Sequence, residues 1–477
     1  MILMFELRPY QKESLEGIYR SLGNSNHCIV VQSPPRTGKT VLMAEIARRT
    51  TAKGNKILFI VHRKEIIDQV RRTFTEQKVK PEFCQIGMVQ TFSRHIDRLA
   101  KPDVILVDEA HHALASSYRK VLDAFPNAVK LLFTATPVRL GRQQLDQIAT
   151  DIVEGKQIQD LIDMGFLAKF RYFARKQIDE DKLKKSSTGD FTVDSMTEAL
   201  TTGIYSTVVK EYRERVNGQQ AVVYWFSVET AKKCAQAFQN SGISAAEIDG
   251  DTPDNIRDDI VQKFRDGKIK VLSNVNLFTE GIDLPNVDCV IMARPTQSLA
   301  LYLQFAMRCL NPRQGKTATI IDMVDNWRRH GLPSDHRDWK KMMVTGKKRK
   351  SSGGGVGGMG ICQCPKCLAV WNSQEVRDND NTCLDPACGH NPVLPVQERK
   401  LKLKQGEIVE IDQSERRRRD FFERLMKKQI MNNIGCKRPY ELSSYQECQQ
   451  YAALHGYKKG WAYHYAKDHG LPGLPHN

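Results

Sequence analysis

An octapeptide, Ser33-Pro34-Pro35-Arg36-Thr37-Gly38-Lys39-Thr40, stands between an apolar run, Cys28 to Val31, and a helix-forming run, Val41 to Arg48. A strand, a loop of this composition and a helix in succession belong to a parallel α/β sheet. There, backbone N–H groups and a helix N-terminus converge on phosphate oxygens. Lys39 is placed to reach the terminal phosphates of a nucleotide, and the Thr40 hydroxyl to hold Mg2+. The strict form of this loop has glycine where Ser33 stands, so the octapeptide alone also fits a Gly-Lys-Thr turn with no ligand. A second motif decides between the two.

Val104-Ile105-Leu106-Val107 reads as a buried parallel strand and runs into Asp108-Glu109-Ala110-His111-His112, about seventy residues past the loop. Open α/β sheets bind ligands at the carboxyl ends of their strands. Asp108 is therefore expected to hold magnesium through its shell, and Glu109 to polarise an attacking water. A lone acidic pair would more simply cap the next helix; behind a phosphate loop at this spacing it reads as catalytic. Thr134-Ala135-Thr136-Pro137 follows.

In this order the motifs resemble those of superfamily 2 helicases of the DEAD/DEAH class, most closely RadD-like DNA helicases and their phage-encoded relatives, over nearly the whole chain. The resemblance implies an α/β protein of two tandem RecA-like lobes, parallel sheets with helices on both faces, at 1–165 and 166–335. It assigns ATP to Arg8 and Gln11 of Leu7-Arg8-Pro9-Tyr10-Gln11, with Gln11 on the adenine edge, and to Pro35, Arg36, Thr37, Gly38, Lys39 and Thr40. Arg63 of Val61-His62-Arg63-Lys64-Glu65 and Thr91 of Val89-Gln90-Thr91-Phe92 match strand-contacting motifs, and His111, Thr134 and Thr136 match coupling motifs.

In the second half, Ser227 closes a β-rich run from Ala221. Phe278-Thr279-Glu280-Gly281-Ile282-Asp283 matches a segment that meets the nucleic-acid backbone through Thr279 and the nucleotide through Gly281 and Asp283. Gln304-Phe305-Ala306-Met307-Arg308-Cys309-Leu310-Asn311 aligns with the arginine-finger motif Q-x-x-G-R-x-x-R. That alignment gives Gln304 a coupling role and Arg308 the stabilisation of charge on the transferred phosphoryl group. Met307 replaces the motif glycine and Asn311 its second arginine, which leaves hydrolysis rate and lobe coupling open; Arg313 stands near enough to substitute.

A length of 477 residues accommodates two lobes of roughly 150 residues with smaller modules beside them. No apolar run reaches the roughly eighteen residues a membrane span needs. Met1 to Phe5 is apolar but short and without a basic flank. A cytoplasmic protein of a bacterial cell, phage-encoded or not and with no membrane partner, is expected. The formal charge of +17, from 72 basic and 55 acidic residues, points to a polyanionic partner. From Lys340 onward, 24 Lys and Arg stand against 14 Asp and Glu, so the C-terminal region reads as an additional DNA surface or a solvated basic face.

A basic, Gly-rich linker is expected over 336–360, including Lys347-Lys348-Arg349-Lys350 and the glycines after it. Cys364-Pro365-Lys366-Cys367 and Cys383 to Cys388 follow as two chelating turns. Four thiolates close a tetrahedral structural Zn2+ site, here a module at 361–395. The ligand set read from this spacing is Cys364, Cys367, Cys383 and Cys388, with Cys362 and His390 close enough to compete. Trp371 is either the core of that module or a base-stacking surface. The tail, 396–477, reads as basic and helical. It holds a periodic stretch from Ile411 to Ile434 and a capping box at Ser444-Tyr445-Gln446-Glu447. Its Tyr457-to-His464 run suits either DNA contact or a self-docking hairpin. Lys176 to Leu200 breaks the β/α rhythm and reads as a mobile insertion without chemistry.

The function implied is an ATP-dependent DNA helicase or translocase using ATP, Mg2+ and Zn2+ in replication, recombination or repair, with replication or repair proteins as partners. Its rivals are a duplex translocase that separates no strands, and a DNA-binding clamp with weakened hydrolysis.

Overall fold

The computed structural model describes residues 5–62, 64–140, 144–216, 218–275, 284, 286–345, 360–391, 393, 402–404, 407–409, 439–455, 457 and 460–474. The chain divides into two compact units, Met1–Val396 and Gln397–Asn477.

The larger unit holds two six-stranded parallel sheets. In the first, β1 (Cys28–Gln32), β2 (Ile57–Val61), β3 (Cys84–Met88), β4 (Val104–Val107), β5 (Val129–Thr134) and β6 (Asp151–Glu154) lie in the order β3-β2-β4-β5-β1-β6. In the second, β7 (Lys169–Ala174), β8 (Ala221–Trp225), β9 (Ala245–Ile248), β10 (Val271–Val275), β11 (Cys289–Met292) and β12 (Thr317–Asp322) lie in the order β7-β12-β11-β8-β10-β9. The central strands are apolar throughout because helices cover both faces.

Alternate residues of one strand feed different cores. Val30, Leu58, Ile60, Ile105 and Val107 face one side of the first sheet, and Ile29, Val31, Phe59, Val61 and Leu106 the other. The first of these cores is continuous with the Val222, Tyr224, Val290 and Met292 face of the second sheet. The lobes are thus joined by apolar packing as well as by the chain.

The region expected as a linker from 336 opens as structured chain. Trp339–Thr345 is a helix whose Trp339 and Met343 are buried, and it returns to the first lobe. There Lys340 N donates to Glu154 Oε1 at 2.8 Å, and Arg337 and Gln157 exchange hydrogen bonds of 3.0 and 3.2 Å. Apolar positions four apart inside a basic sequence carry the helix; the tetrad and glycines after it lie outside the described residues.

Lys176 to Leu200 is likewise built into the second lobe. Ile178, Phe191, Met196 and Ala199 are buried in its core, Lys185 and Phe191 form a bridge, and Thr192 caps the helix Val193–Ala199. A small module, β13 (Ile361–Gln363) and β14 (Val370–Asn372) with the helix Ser373–Asp378, continues the edge at β7. Ala369 bridges Phe173, Ala174 N donates to Leu368 O at 3.1 Å, and Arg215 donates to Cys367 O at 2.9 Å. A parallel edge that would otherwise be open is covered this way.

In the smaller unit, Tyr445–His455 and Trp461–Asp468 form a helical hairpin. Ser444 Oγ accepts from Glu447 N at 3.2 Å, half of the capping box; the Glu447 carboxylate instead accepts from Ser443 N and Oγ. Tyr457 stacks on Trp461 and Trp461 on Tyr465, at centroid separations of 4.4 and 4.8 Å, so the aromatic run docks largely on itself. The Ile411–Ile434 stretch lies outside the described residues. Among the described residues no helix is long and apolar enough to cross a membrane.

Candidate active site and cysteine centre

The phosphate loop leaves the carboxyl end of β1, and the helix Lys39–Ala52 begins at Gly38, whose φ of +75° admits glycine far more readily than any other residue. A Cβ there would also come within 2.8 Å of Gln11 Nε2. Ser33 does not take a positive φ, so serine meets no backbone demand for glycine. Its hydroxyl pairs with Thr37 Oγ1 at 2.7 Å, and Thr37 Oγ1 also reaches Pro34 O at 2.7 Å, which braces the loop from within.

Gln11, expected on an adenine edge, is buried against the loop here. Its Nε2 donates to Thr37 O at 3.0 Å and Gly38 O at 3.1 Å, while its Oε1 accepts from Arg8 N at 2.8 Å. Arg8 stays exposed, over the ring of Phe166. Pro35, Arg36 and Thr40 are half-buried along the loop.

Asp108 and Glu109 leave the carboxyl end of β4, two strands from β1. Glu109 adopts a left-handed φ of +48°, and its N–H donates to Asp108 Oδ1 at 2.9 Å. Its carboxylate lies 3.6 Å from Lys39 Nζ and 3.3 Å from His111 Nδ1. Burial by itself raises the Glu109 carboxyl pKa, but the Lys39 ammonium and the two neighbouring histidines outweigh it and hold the group down at about 2. His112 stacks on His62 at 4.4 Å and lies tilted against His111 at 4.2 Å, and burial together with those neighbours depresses it to about 3. The His62 contact is long-range and leaves no mark in the sequence.

Thr134 ends β5 and ties the segment that follows it to the phosphate loop. Its carbonyl accepts from Ser33 N at 3.0 Å, and its hydroxyl donates to Thr136 O at 3.1 Å and accepts from Thr136 N at 3.2 Å. From the other lobe, the helix Leu299–Met307 carries half-buried Gln304 and ends at buried Arg308, which hydrogen-bonds Tyr224. Arg36 lies near enough to act electrostatically on the same Tyr224 and on Cys309, the residue after Arg308. Arg313 is held by Asp288, and Asn311 O accepts from Lys316 Nζ at 3.1 Å.

Thr91 is exposed on the helix Val89–Arg94, whereas Ser227 caps the helix Val228–Asn240 by accepting from Thr230 N at 3.3 Å. Arg63, Thr279, Gly281 and Asp283 lie outside the described residues.

The Sγ atoms of Cys364, Cys367, Cys383 and Cys388 all lie within 4.8 Å of one another, two pairs at 3.7 and 3.5 Å. Tetrahedral thiolates with Zn–S near 2.3 Å stand about 3.8 Å apart, so the cluster fits zinc. Backbone N–H groups of Ala369, Asp385 and His390 point at Cys367, Cys383 and Cys388. The four-residue gap before Cys388 is absorbed by a turn in which Ala387 N donates to Asp385 Oδ1 at 3.2 Å and Cys388 N to Asp385 O at 2.9 Å. Cys362 sits apart, with its Sγ toward Trp371 O, and His390 contributes its carbonyl to Cys383 N.

Two parallel sheets, one carrying a phosphate loop and paired carboxylates at its strand ends, define a two-lobed nucleotide-hydrolysing enzyme. Residues 4–139 match the family model described as type III restriction enzyme, res subunit, and residues 203–312 match the helicase conserved C-terminal domain. A 51.5 kDa protein of a Lactococcus phage, isolate 7-9, is 38% identical over 382 residues, spanning 80% of this chain and 82% of that one. A Saccharomyces cerevisiae protein named as the ATP-dependent helicase IRC3 is 28% identical over 67% of this chain, which spans about half, 51%, of its length. A solved fragment named as an HsdR subunit of a Vibrio vulnificus type I restriction enzyme shares the fold, with a TM-score of 0.52 at 19% identity, over 68% of this chain and 65% of that one. The chain belongs to the superfamily 2 helicases of DEAD/DEAH type, with a phage protein among its relatives, and is an ATP-hydrolysing enzyme.

Proposed function

We propose that the protein is an ATP-dependent motor on DNA, in which binding and hydrolysis of ATP between the lobes change the affinity for the DNA track. The observation that carries this reading is the 3.6 Å pair of Lys39 with Glu109, which brings the phosphate loop and the carboxylate strand into one site. Lys39, Thr37 and Gly38 bind the phosphates, Glu109 orients the attacking water, and Arg308 answers the charge that develops on the transferred group. Mg2+, held by Thr40 and Asp108, neutralises phosphate charge when bound. Arg8, Gln11, Gly281 and Asp283 complete the nucleotide site, and His111, Thr134, Thr136 and Gln304 couple it to the track. Arg63, Thr91, Ser227 and Thr279 meet the DNA backbone, a sequence-independent contact.

The charge of +17 and the match to a restriction-enzyme subunit support DNA as the partner. Replication, recombination or repair is the process we assign to it, and a zinc ion in the four-cysteine centre is the structural metal. The pairing of Arg313 with Asp288, together with Asn311 in the second-finger position, favours a second reading, a DNA clamp that hydrolyses slowly.

ATP hydrolysis by wild type and Glu109→Gln, with no DNA and with single-stranded, duplex or forked DNA, tests both. Strong stimulation that the substitution abolishes supports the motor, and the best-stimulating DNA identifies its track; binding without stimulation supports the clamp. Triplex displacement without strand separation by the same protein identifies a duplex translocase.

A further inference from the structure

We infer that Asp190 is a positioning residue for phosphoryl transfer: from the tip of the inserted segment it seats the helix that ends at Arg308. The inference rests on the role proposed above for Arg308.

The Asp190 carboxylate accepts from Gln297 N at 2.7 Å and from Thr296 Oγ1 at 3.0 and 3.2 Å, and lies 3.6 Å from the Arg294 guanidinium. These residues lead straight into the helix Leu299–Met307. Ser298 N donates to the same Thr296 hydroxyl at 2.9 Å, and Ser298 Oγ caps the helix by accepting from Leu301 N at 3.3 Å. Thr296 is fully buried and gripped from its other side, its N–H on Asn326 Oδ1 at 3.1 Å and its carbonyl against His330 Nε2 at 2.9 Å. The start of the helix is therefore clamped between the insertion and the body of the second lobe.

The same tip reaches the first lobe. A Cβ on Gly189 would stand 3.6 Å from Leu140 Cβ, an ordinary contact, and the φ of +92° at Gly189 turns the chain there. Thr188 shares with His111, Arg139, Leu140 and Leu299 the lining of a cavity of about 200 Å3. Of three consecutive residues, Thr188 thus borders the cavity that His111 lines, Gly189 lies beside Leu140, and Asp190 holds the entry to the arginine helix. A nine-residue helix spans about 13 Å and moves as a rod, so displacing its first turn displaces Arg308 at its end. The insertion is then a strut that sets the distance between the arginine and the phosphate loop.

The experiment is steady-state ATP hydrolysis by the full chain carrying Asp190→Asn, Asp190→Ala, Arg308→Ala and the two Asp190 variants each combined with Arg308→Ala, with and without DNA. The expected result is a fall in kcat on the order of tenfold for Asp190→Ala, and a smaller one for Asp190→Asn, which keeps an acceptor oxygen. KM for ATP stays within about twofold, and the double variants lose no more than Arg308→Ala alone, because both changes act through one group.

Wild-type kcat in both Asp190 variants, or losses that multiply in the double variants, overturns the inference. Should Asp190→Ala fail to fold, the near-isosteric Asp190→Asn carries the same cycle. A normal rate in Arg308→Ala sinks the role of Arg308 and the inference with it, whereas absence of DNA stimulation in wild type counts only against the DNA motor, since the cycle is read equally on basal turnover.

Discussion

Glu109 is the residue on which most of the site's electrostatics converge. A non-glycine residue at φ +48° is strained, and the fold maintains it by the Asp108 cap on its N–H and the ion pair with Lys39. Glu109→Gln keeps the shape and removes the charge proposed to orient water, so kcat should fall about 10²–10⁴-fold while nucleotide binding, read by a fluorescent ATP analogue, persists. The pH dependence follows from the same contacts. With its folded pKa depressed from 4.5 to about 2, Glu109 contributes stability that is fully present above pH 4.5 and is lost only as the pH falls toward 2. A kcat profile from pH 5 to 9 should thus show no acid limb from Glu109. A limb near pH 6 that disappears in Glu109→Gln would mean that the lysine does not hold the carboxylate down. Arg308→Ala should lower kcat about 10³-fold, and Arg313→Ala, whose side chain is engaged by Asp288, should leave it near wild type. An equal loss in both variants would make Arg313 a second finger after all.

Among the elements, the four-cysteine turn does more than hold itself together. Leu368 and Ala369, directly after Cys367, pair with β7, while Arg215 spans Cys367 O and the ring of Phe173. With the zinc proposed here in that turn, a chelator or Cys383→Ser should therefore release about one zinc per chain and free the β7 edge, lowering the melting temperature and promoting aggregation. Loss of zinc with an unchanged melting curve would show the module to be an independent appendage.

Elements of this kind differ in how far the sequence announces them. The parallel strands were legible because burial on both faces demands apolar runs, and the cysteine turns because chelation demands close spacing. The seating of the insertion was not, since it depends on Asp190 reaching residues more than a hundred positions away. The helix Trp339–Thr345 was hidden for a related reason: a seven-residue stretch that runs into a basic tetrad and glycines looks like linker until Glu154 and Gln157 are brought alongside. At the site itself the charged residues were legible and their supports were not. Nothing local tells that Gln11 braces the loop's carbonyls or that His62 stacks on His112.

At the scale of the whole molecule, charge and compactness divide differently. Residues 397–477 form a compact unit of their own and carry 16 Lys and Arg against 10 Asp and Glu, yet the described residues place the nucleotide-site groups in Met1–Val396. Chemistry and a large share of the track's electrostatic attraction should then be separable. A chain ending at Val396 should keep its ATP hydrolysis within about threefold at saturating DNA but bind more weakly at moderate salt. Each DNA phosphate that goes unneutralised without the basic unit flattens the slope of log affinity against log salt by about 0.9 on duplex DNA. Titrating both chains with a labelled duplex across a salt series measures that slope. If the truncated chain keeps the full slope, the tail's charges are a solvated face and the DNA track lies wholly on the lobes; if hydrolysis collapses with the slope, the tail is part of the motor and not only of its grip.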